Sequence, residues 1–414
     1  MPKKLYAGID LGTSGARAVI IDSQERLISS GKAAIEGNHR NPAEWRRAME
    51  AAFSVALSGV ERKNIHALAV DGTSGTVLPV DSEGGPLCDA LMYNDPPSNK
   101  NAAAEIEASS GFRNIAGLPA LLRAQSFLSL QPTQILHQAD WLTFLFSGRF
   151  VSDDNNALKT GYSSFIRNWP VWMTRLDLRA VLPEVVEPGT IIGSITQAAA
   201  HRFGLSPETF IVAGTTDGCA SFLASGAVEP GDAVSVLGTT LTLKLLSDKR
   251  IDAPEFGIYS HRLLGNWLAG GASNTGGAAL LNHFSADDIR TLSAAIDPEK
   301  PTGLNYYPLP KKGERFPVND PELLPRLTPR PNEPATFLQG MFEGIASIEA
   351  QGYALLEKLG APSLKSVRTM GGGARNMHWT TIRAKRLGVP LLTPSSVEAA
   401  YGTARLAFLG AKNA

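Results

Sequence analysis

A chain of 414 residues with 43% hydrophobic content holds enough apolar side chain for a sizeable core and for two or three domains. Its 39 Lys and Arg balance its 39 Asp and Glu, which excludes a general attraction to nucleic acid or anionic lipid and makes any phosphate binding a local matter. Cys88 and Cys219 are the only cysteines and no His spacing suits zinc. With no signal-peptide core or long apolar run either, the reading is a cytoplasmic protein that makes no membrane contact.

In chain order, residues 5–22 place a Gly-Thr-Ser-Gly turn between two apolar runs, which predicts two antiparallel strands joined tightly. A third strand is expected in "ERLISSGKAAI". A helix follows in "NPAEWRRAMEAAFSVALSGV", with Asn41 as its cap and Pro42 at its first position. "NIHALAVDGTSGTVLPVD" reads as strand, Gly-rich turn at Asp71, Gly72 and Thr73, and strand. "FIVAGTTDGCASFLASGA" reads as strand, turn and helix.

The second half begins again. "GDAVSVLGTTLTLKLLS", Gly231 to Ser247, repeats the opening hairpin, with Leu237-Gly238-Thr239-Thr240 answering Leu11-Gly12-Thr13-Ser14. "SVRTMGGGARNMHWTTIRAKRLG" then supplies another strand, Gly-rich turn and helix. An internal repeat of this kind predicts two α/β domains, residues 1–227 and 228–414, with a cleft between them. The Pro-rich stretch from Pro308 to Pro334 lacks hydrophobic periodicity and is expected to run extended over the surface. Small residues in two helices, Gly218, Ala220 and Ala224 in one and Ala399, Gly402 and Ala404 in the other, suit a close crossing that would serve as a hinge.

Gly-rich turns let backbone N–H groups converge on a phosphate, and Thr13, Ser14, Thr239 and Thr240 add hydroxyls; each turn alone reads equally as a plain hairpin connector. Asp10, whose counterpart is Val236, either closes an Asx-turn or helps to hold a hard cation through water. Asp217 stands where a strand gives way to a helix, as a cap or as a general base. Gly371 to Gly373, with Asn376 and Trp379 just after, form a strand-to-helix turn on which a flat base has room to lie; such turns are also common connectors. "DNNALKTGY", with Asp153 just upstream and Asn156 and Lys159 within it, and "LMYNDPP", with Tyr93, Asn94 and Asp95, are polar loops that face a polyol or merely turn the chain. There is no Walker P-loop and no dinucleotide fingerprint.

Together these motifs resemble the FGGY family of carbohydrate kinases, of the actin-like ATPase superfamily. The likeness runs from "GIDLGTSGARAVIID" to "EAAYGTARLAFLG" and extends to "GGASNTGGA" and "YYPLPKKGERFP". Within the family it is similar to compact D-ribulose kinases and xylulose kinase-like proteins. It implies an α/β fold of two actin-like, ribonuclease H-like domains flanking a nucleotide and sugar cleft, in a monomer or homodimer whose partners are a sugar and MgATP.

Residue by residue, the resemblance makes Asp10 the Mg2+ residue and puts Thr13 at the γ-phosphate, with Gly12 and Ser14 among the residues that bind the cofactor. Gly238 and Thr239 would hold the transferring phosphate, and Gly372, Gly373, Asn376 and Trp379 the adenosine. Asp71, Ser74 and Asp95 would approach the sugar, with Asp217 as catalytic base. The expected reaction is phosphorylation of a ketopentose primary hydroxyl, D-ribulose first and D-xylulose as the alternative. An idle actin-like switch is the rival, and Asp217 argues against it. Larger members carry Trp-x-Asp-x-Arg where this chain has Tyr93, Asp95 and no closing Arg, which weakens the transfer of their sugar contacts.

Overall fold

The computed structural model describes residues 3–96, 104, 106–108, 118–175 and 177–414. The opening hairpin forms as β1 (Leu5–Leu11) and β2 (Gly15–Asp22), in a register that sets Asp10 opposite Arg17, and β3 (Leu27–Ala34) continues the meander. Gly15 is needed because a Cβ there would strike the backbone of Ala33. The helix Pro42–Ala56 starts at Pro42, with the Asn41 side chain accepting the Ala43 N–H at 2.9 Å. Its buried stripe includes Trp45, Met49 and Phe53; burying each large side chain contributes about 1.5–3 kcal/mol.

The chain then returns parallel to β1 as β4 (Ile65–Gly72). Next come two small pairings: β5 (Val77–Val80) with β6 (Gln134–His137), and β7 (Val151–Asp153) with β8 (Glu184–Val186). β9 (Ile191–Ser194) and β10 (Phe210–Thr216) complete a six-stranded sheet ordered β3-β2-β1-β4-β10-β9. One face carries the core around Trp45, Phe53 and Phe146. The other is covered by the helices Asp217–Ala224 and Ala399–Ala411, through Tyr6, Ala400, Ala404 and Ala407.

The second sheet begins with β11 (Asp232–Leu237) and β12 (Leu241–Ser247), continues with β13 (Tyr259–Leu263), β14 (Asn266–Ser273), β15 (Ser366–Met370) and β16 (Leu391–Leu392), and is ordered β13-β14-β12-β11-β15-β16. Its hairpin has the same plan as the first, with β15 parallel to β11 as β4 is to β1. The long helix Pro334–Lys358 and the helix Met377–Leu387 contribute to the core around Phe316, Phe342 and Trp379.

By contacts the chain divides into one compact unit of Met1–Ala224, His261–Leu264 and Ser396–Ala414 and another of Ser225–Ser260 and Gly265–Ser395. This spatial division departs from the sequence division at 227 and 228, because the last helix packs on the first sheet. The two helices with small-residue stripes both lie in the first unit, where a Cβ on Gly402 would run into the backbone of Ala220. The Pro-rich stretch corrects a second expectation. It is extended, but Leu309 and Phe316 are buried in the core and Glu314, 3% exposed, accepts from Ser273 Oγ and the Asn274 N–H. Gly271 and Gly352 leave the room that the Phe316 ring fills. Among the described residues no helix is long and apolar enough to cross a membrane.

Candidate functional site

In the first unit, the parallel strands β1, β4 and β10 end side by side and bring three carboxylates to one edge of the sheet. Asp10 is in register with Asp71, Asp71 with Thr215, and Asp217 opens the helix that follows β10. Asp71 is fully buried and accepts a hydrogen bond from Thr403 Oγ1. Burial, followed by the charge and hydrogen bond of Asp10, holds the Asp71 carboxyl well above the usual carboxylate range. Burial raises Asp10 as well, against the opposing pull of Asp71 and Arg17.

Arg17 Nη1 lies 3.6 Å from Asp10 Oδ2, while its Nε pairs with Glu398 at 3.1 Å. Asp71 Oδ1 meets no donor group, and the acid beside it is Asp10. Two buried carboxyls so arranged must share a proton or a cation; among the described residues no group of three or more acidic, His or Cys side chains is placed to hold a metal, so a hard divalent ion here would rest on one or two carboxylates and on water. Asp217 is half-buried, and its Oδ1 accepts the Gly218 N–H at 2.7 Å.

The turn after β4 is braced from elsewhere in the unit. Gln138 Oε1 accepts both the Thr73 N–H (2.9 Å) and the Thr73 hydroxyl (2.8 Å), and Arg123 donates to the carbonyls of Gly75 and Asp95. Ser74 Oγ and Gln138 Nε2 are buried without a partner, so this turn retains unused hydrogen-bonding capacity. Asp95 has less to offer a sugar than expected: one carboxylate oxygen accepts from Arg40 at 2.5 Å and the other from the Met92 N–H at 2.8 Å. In the polar run after β7, Asn156 donates to Asp153 at 2.6 Å, and Asn155 ties Thr215 of β10 to the backbone of Arg262. These residues brace the strand that leads to Asp217.

The two Gly-Thr turns are built alike. The Gly12 N–H donates to the Gly15 carbonyl at 3.0 Å and the Gly238 N–H to the Thr240 carbonyl at 3.1 Å. These two N–H groups close their turns and are not spare anion donors. Thr13, Ser14 and Thr239 stand exposed at the tips.

In the second unit, the "GGASNTGGA" segment backs the turn. Gly277 and Ala278 donate to the carbonyls of Gly238 and Thr239, and a Cβ on Gly276, at φ +136, would collide with Thr240. The Gly371–Gly373 turn presses on the same hairpin, since a Cβ on Gly371 would lie 2.6 Å from the Leu237 carbonyl oxygen. Gly372 faces open space. Asn376 caps the helix Met377–Leu387 by accepting the Trp379 N–H at 3.0 Å and donates to Ser293 Oγ at 2.7 Å. Trp379 is core, with its ring stacked on Phe342 at 4.7 Å and packed beneath Gly373, so it supports the turn from below and does not offer a face to a base.

Sequence reasoning missed Arg17, Arg40, Arg123, Gln138 and Thr403. Arg17 was within reach, because the hairpin register alone sets it opposite Asp10. Gln138 and Thr403 act on Thr73 and Asp71 from far along the chain, and no local pattern signals either.

Residues 233–411 match the model of the FGGY family of carbohydrate kinases, C-terminal domain. Over 98% of this chain and 90% of the relative, the sequence is 27% identical to a xylulose kinase from Escherichia coli K12. A ribulokinase from Geobacillus thermodenitrificans is 26% identical over 59% of this chain and 53% of its own length. Among solved structures, a xyloylose kinase from Brucella ovis superposes with a TM-score of 0.85 at 24% identity, covering 99% of this chain and 91% of that one. A xylulose kinase from Bifidobacterium adolescentis gives 0.80 at 20%, over 100% of this chain and 94% of its own. The fold is the two-domain actin-like one that the motifs implied.

Proposed function

The chain belongs with the FGGY carbohydrate kinases, and from that premise we propose that it transfers the γ-phosphate of ATP to the primary hydroxyl of a ketopentose. The observation that carries this reading is the edge of the first sheet, where Asp217 stands on a rigid strand-to-helix junction beside the buried pair Asp10 and Asp71.

In this reading Asp217 takes the proton of the sugar hydroxyl, since a carboxylate held by the start of a helix is positioned for general-base work. Asp10 would hold Mg2+, with Asp71 buried behind it. The metal, when bound, would neutralise charge on the phosphate oxygens. Thr13 and Ser14 in one hairpin, and Thr239 in the other, would present hydroxyl groups to phosphate, with Gly12 and Gly238 closing the turns behind them. Gly372, Gly373 and Asn376 hold the adenosine over Trp379. Ser74, on the turn with unused hydrogen-bonding groups, meets the sugar. Asp71 and Asp95, both engaged inside the protein, shape that turn from behind.

D-ribulose is the sugar first proposed and D-xylulose stands equally supported, because relatives of both names match the chain. The two differ at one hydroxyl, which a few hydrogen bonds decide. Sugar-dependent ADP release across ketopentoses, polyols and hexoses tests the reading, with Asp217→Ala alongside. A ketopentose should raise turnover far above the basal rate in the wild type only. If no sugar raises it, the kinase reading is lost; a strong preference for D-xylulose would replace only the choice of sugar.

A further inference from the structure

A buried ion pair in the second unit joins the two elements assigned to the nucleotide. Arg383 and Glu349 are both fully buried, with Nε to Oε2 at 2.6 Å and Nη2 to Oε1 at 2.7 Å. The free Nη1 of that fork donates to Thr369 Oγ1 on β15 at 2.8 Å, and Ser235 Oγ on β11 donates to Glu349 Oε1 at 2.5 Å. Ser235 also lies 2.8 Å from the Tyr353 hydroxyl. Ser235 and Thr369 face each other in the strand register. Two residues beyond Ser235 comes Leu237, where the phosphate turn begins, and two beyond Thr369 comes Gly371. Arg383 itself sits on the helix that Asn376 caps.

A buried ion pair is a poor source of net stability, because desolvating both charges offsets most of their attraction; holding one arrangement against others is its better-attested use. The arrangement here is tight, since Gly371 and Gly373 meet Leu237 with no room for a methyl group. Resting on the ATP reading above, we propose that the Glu349–Arg383 pair positions the phosphate turn and the adenosine turn against each other, so that one nucleotide can touch both. Neither residue meets the nucleotide; each acts through Ser235, Thr369 and the capped helix.

The test replaces the pair at similar volume, as Glu349→Leu with Arg383→Met, so that no charge is left buried alone. Titration calorimetry with Mg2+ and a non-hydrolysable ATP analogue reads nucleotide binding directly, and steady-state kinetics read the KM for ATP and for sugar. The double variant should keep a cooperative thermal transition, bind the analogue at least tenfold more weakly, and show a raised KM for ATP beside an unchanged KM for sugar. Arg383→Lys, which cannot bridge Glu349 and Thr369 with one fork, should fall between. Should the double variant fail to fold, Thr369→Val and Ser235→Ala keep the ion pair and should each weaken the analogue several-fold. Wild-type affinity in the folded double variant, or in both of these, overturns the proposal. A wild type that binds no nucleotide at all would remove the kinase reading and this proposal together.

Discussion

Hairpins β1–β2 and β11–β12 share a backbone and differ in what they carry. Each has a three-residue turn closed by a glycine N–H, and each has a parallel strand along one side. In the first, the register lines up Asp71, Asp10 and Arg17; in the second, the matching places hold Met370, Val236 and Thr242. The first sheet therefore concentrates charge at the end of its strands, while the second keeps its charged pair, Glu349 and Arg383, beside the strands one residue deeper, bonded to Ser235 and Thr369. Duplicated backbone is a neutral frame; the paired acids arise from substitutions at one register position.

The largest effect expected is at Asp217, in the first unit. Asp217→Ala should lower kcat by about 10²–10⁴-fold, the usual contribution of general acid–base catalysis, with sugar binding retained. Sugar-dependent ADP release checks it, and a kcat within threefold of wild type would set Asp217 back to a helix cap. Next comes Asp10→Asn, which should raise the Mg2+ concentration needed for half-maximal turnover on the order of tenfold, about 1.4 kcal/mol. Val236→Ala at the matching place should leave that Mg2+ curve where it was. Equal shifts in both would end the distinction between the hairpins.

Carrying the carboxylate across is a third measure. Val236→Asp should cost roughly 1–3 kcal/mol, because the new charge lies beside Met370 with no Arg17 opposite. A carboxyl raised by burial is best tolerated when protonated, so the loss of thermal stability should shrink as pH falls. A stability deficit that grew toward low pH would contradict this.

The smallest effect concerns Asp71. Its carboxyl is held above the usual value of 3.8, so the native state keeps a proton that the unfolded chain has lost. Stability contributed at low pH is therefore lost as pH rises above about 4 and through the folded pKa. Asp71→Asn cannot lose that proton, and the fall in melting temperature between pH 5 and pH 8 should be smaller than in the wild type. Parallel melting curves for the two proteins would show that Asp71 is not the group responsible.

Much of this was legible in the sequence. The Gly-Thr echo gave both hairpins, and alternation of strand, Gly-rich turn and helix gave both sheets, because local turn chemistry and burial agree there. Asp10 stood out because its echo is Val236. What escaped were contacts that depend on distant segments meeting: Thr403 on Asp71, Gln138 on Thr73, Arg40 on Asp95. Trp379 misled because a tryptophan after a Gly-rich turn suits a base and a core equally, and only packing on Phe342 decides. The Pro-rich stretch misled because an extended backbone can still bury Phe316 when two glycines elsewhere make room.

The last helix, Ala399–Ala411, lies on strands that begin at Leu5. A Cβ on Gly8 would strike the backbone of Ala404, Tyr6 meets Phe408 edge-on at 5.0 Å, and Arg405 donates to Glu25 at 2.7 Å. During synthesis these first strands leave the ribosome nearly 400 residues before the helix that covers them. Contacts of such long sequence separation form slowly, and the uncovered face around Tyr6, Ala67 and Ala69 is sticky in the meantime. The nascent first unit therefore keeps the part of this apolar face that Ala399–Ala411 covers open until the second unit has been made.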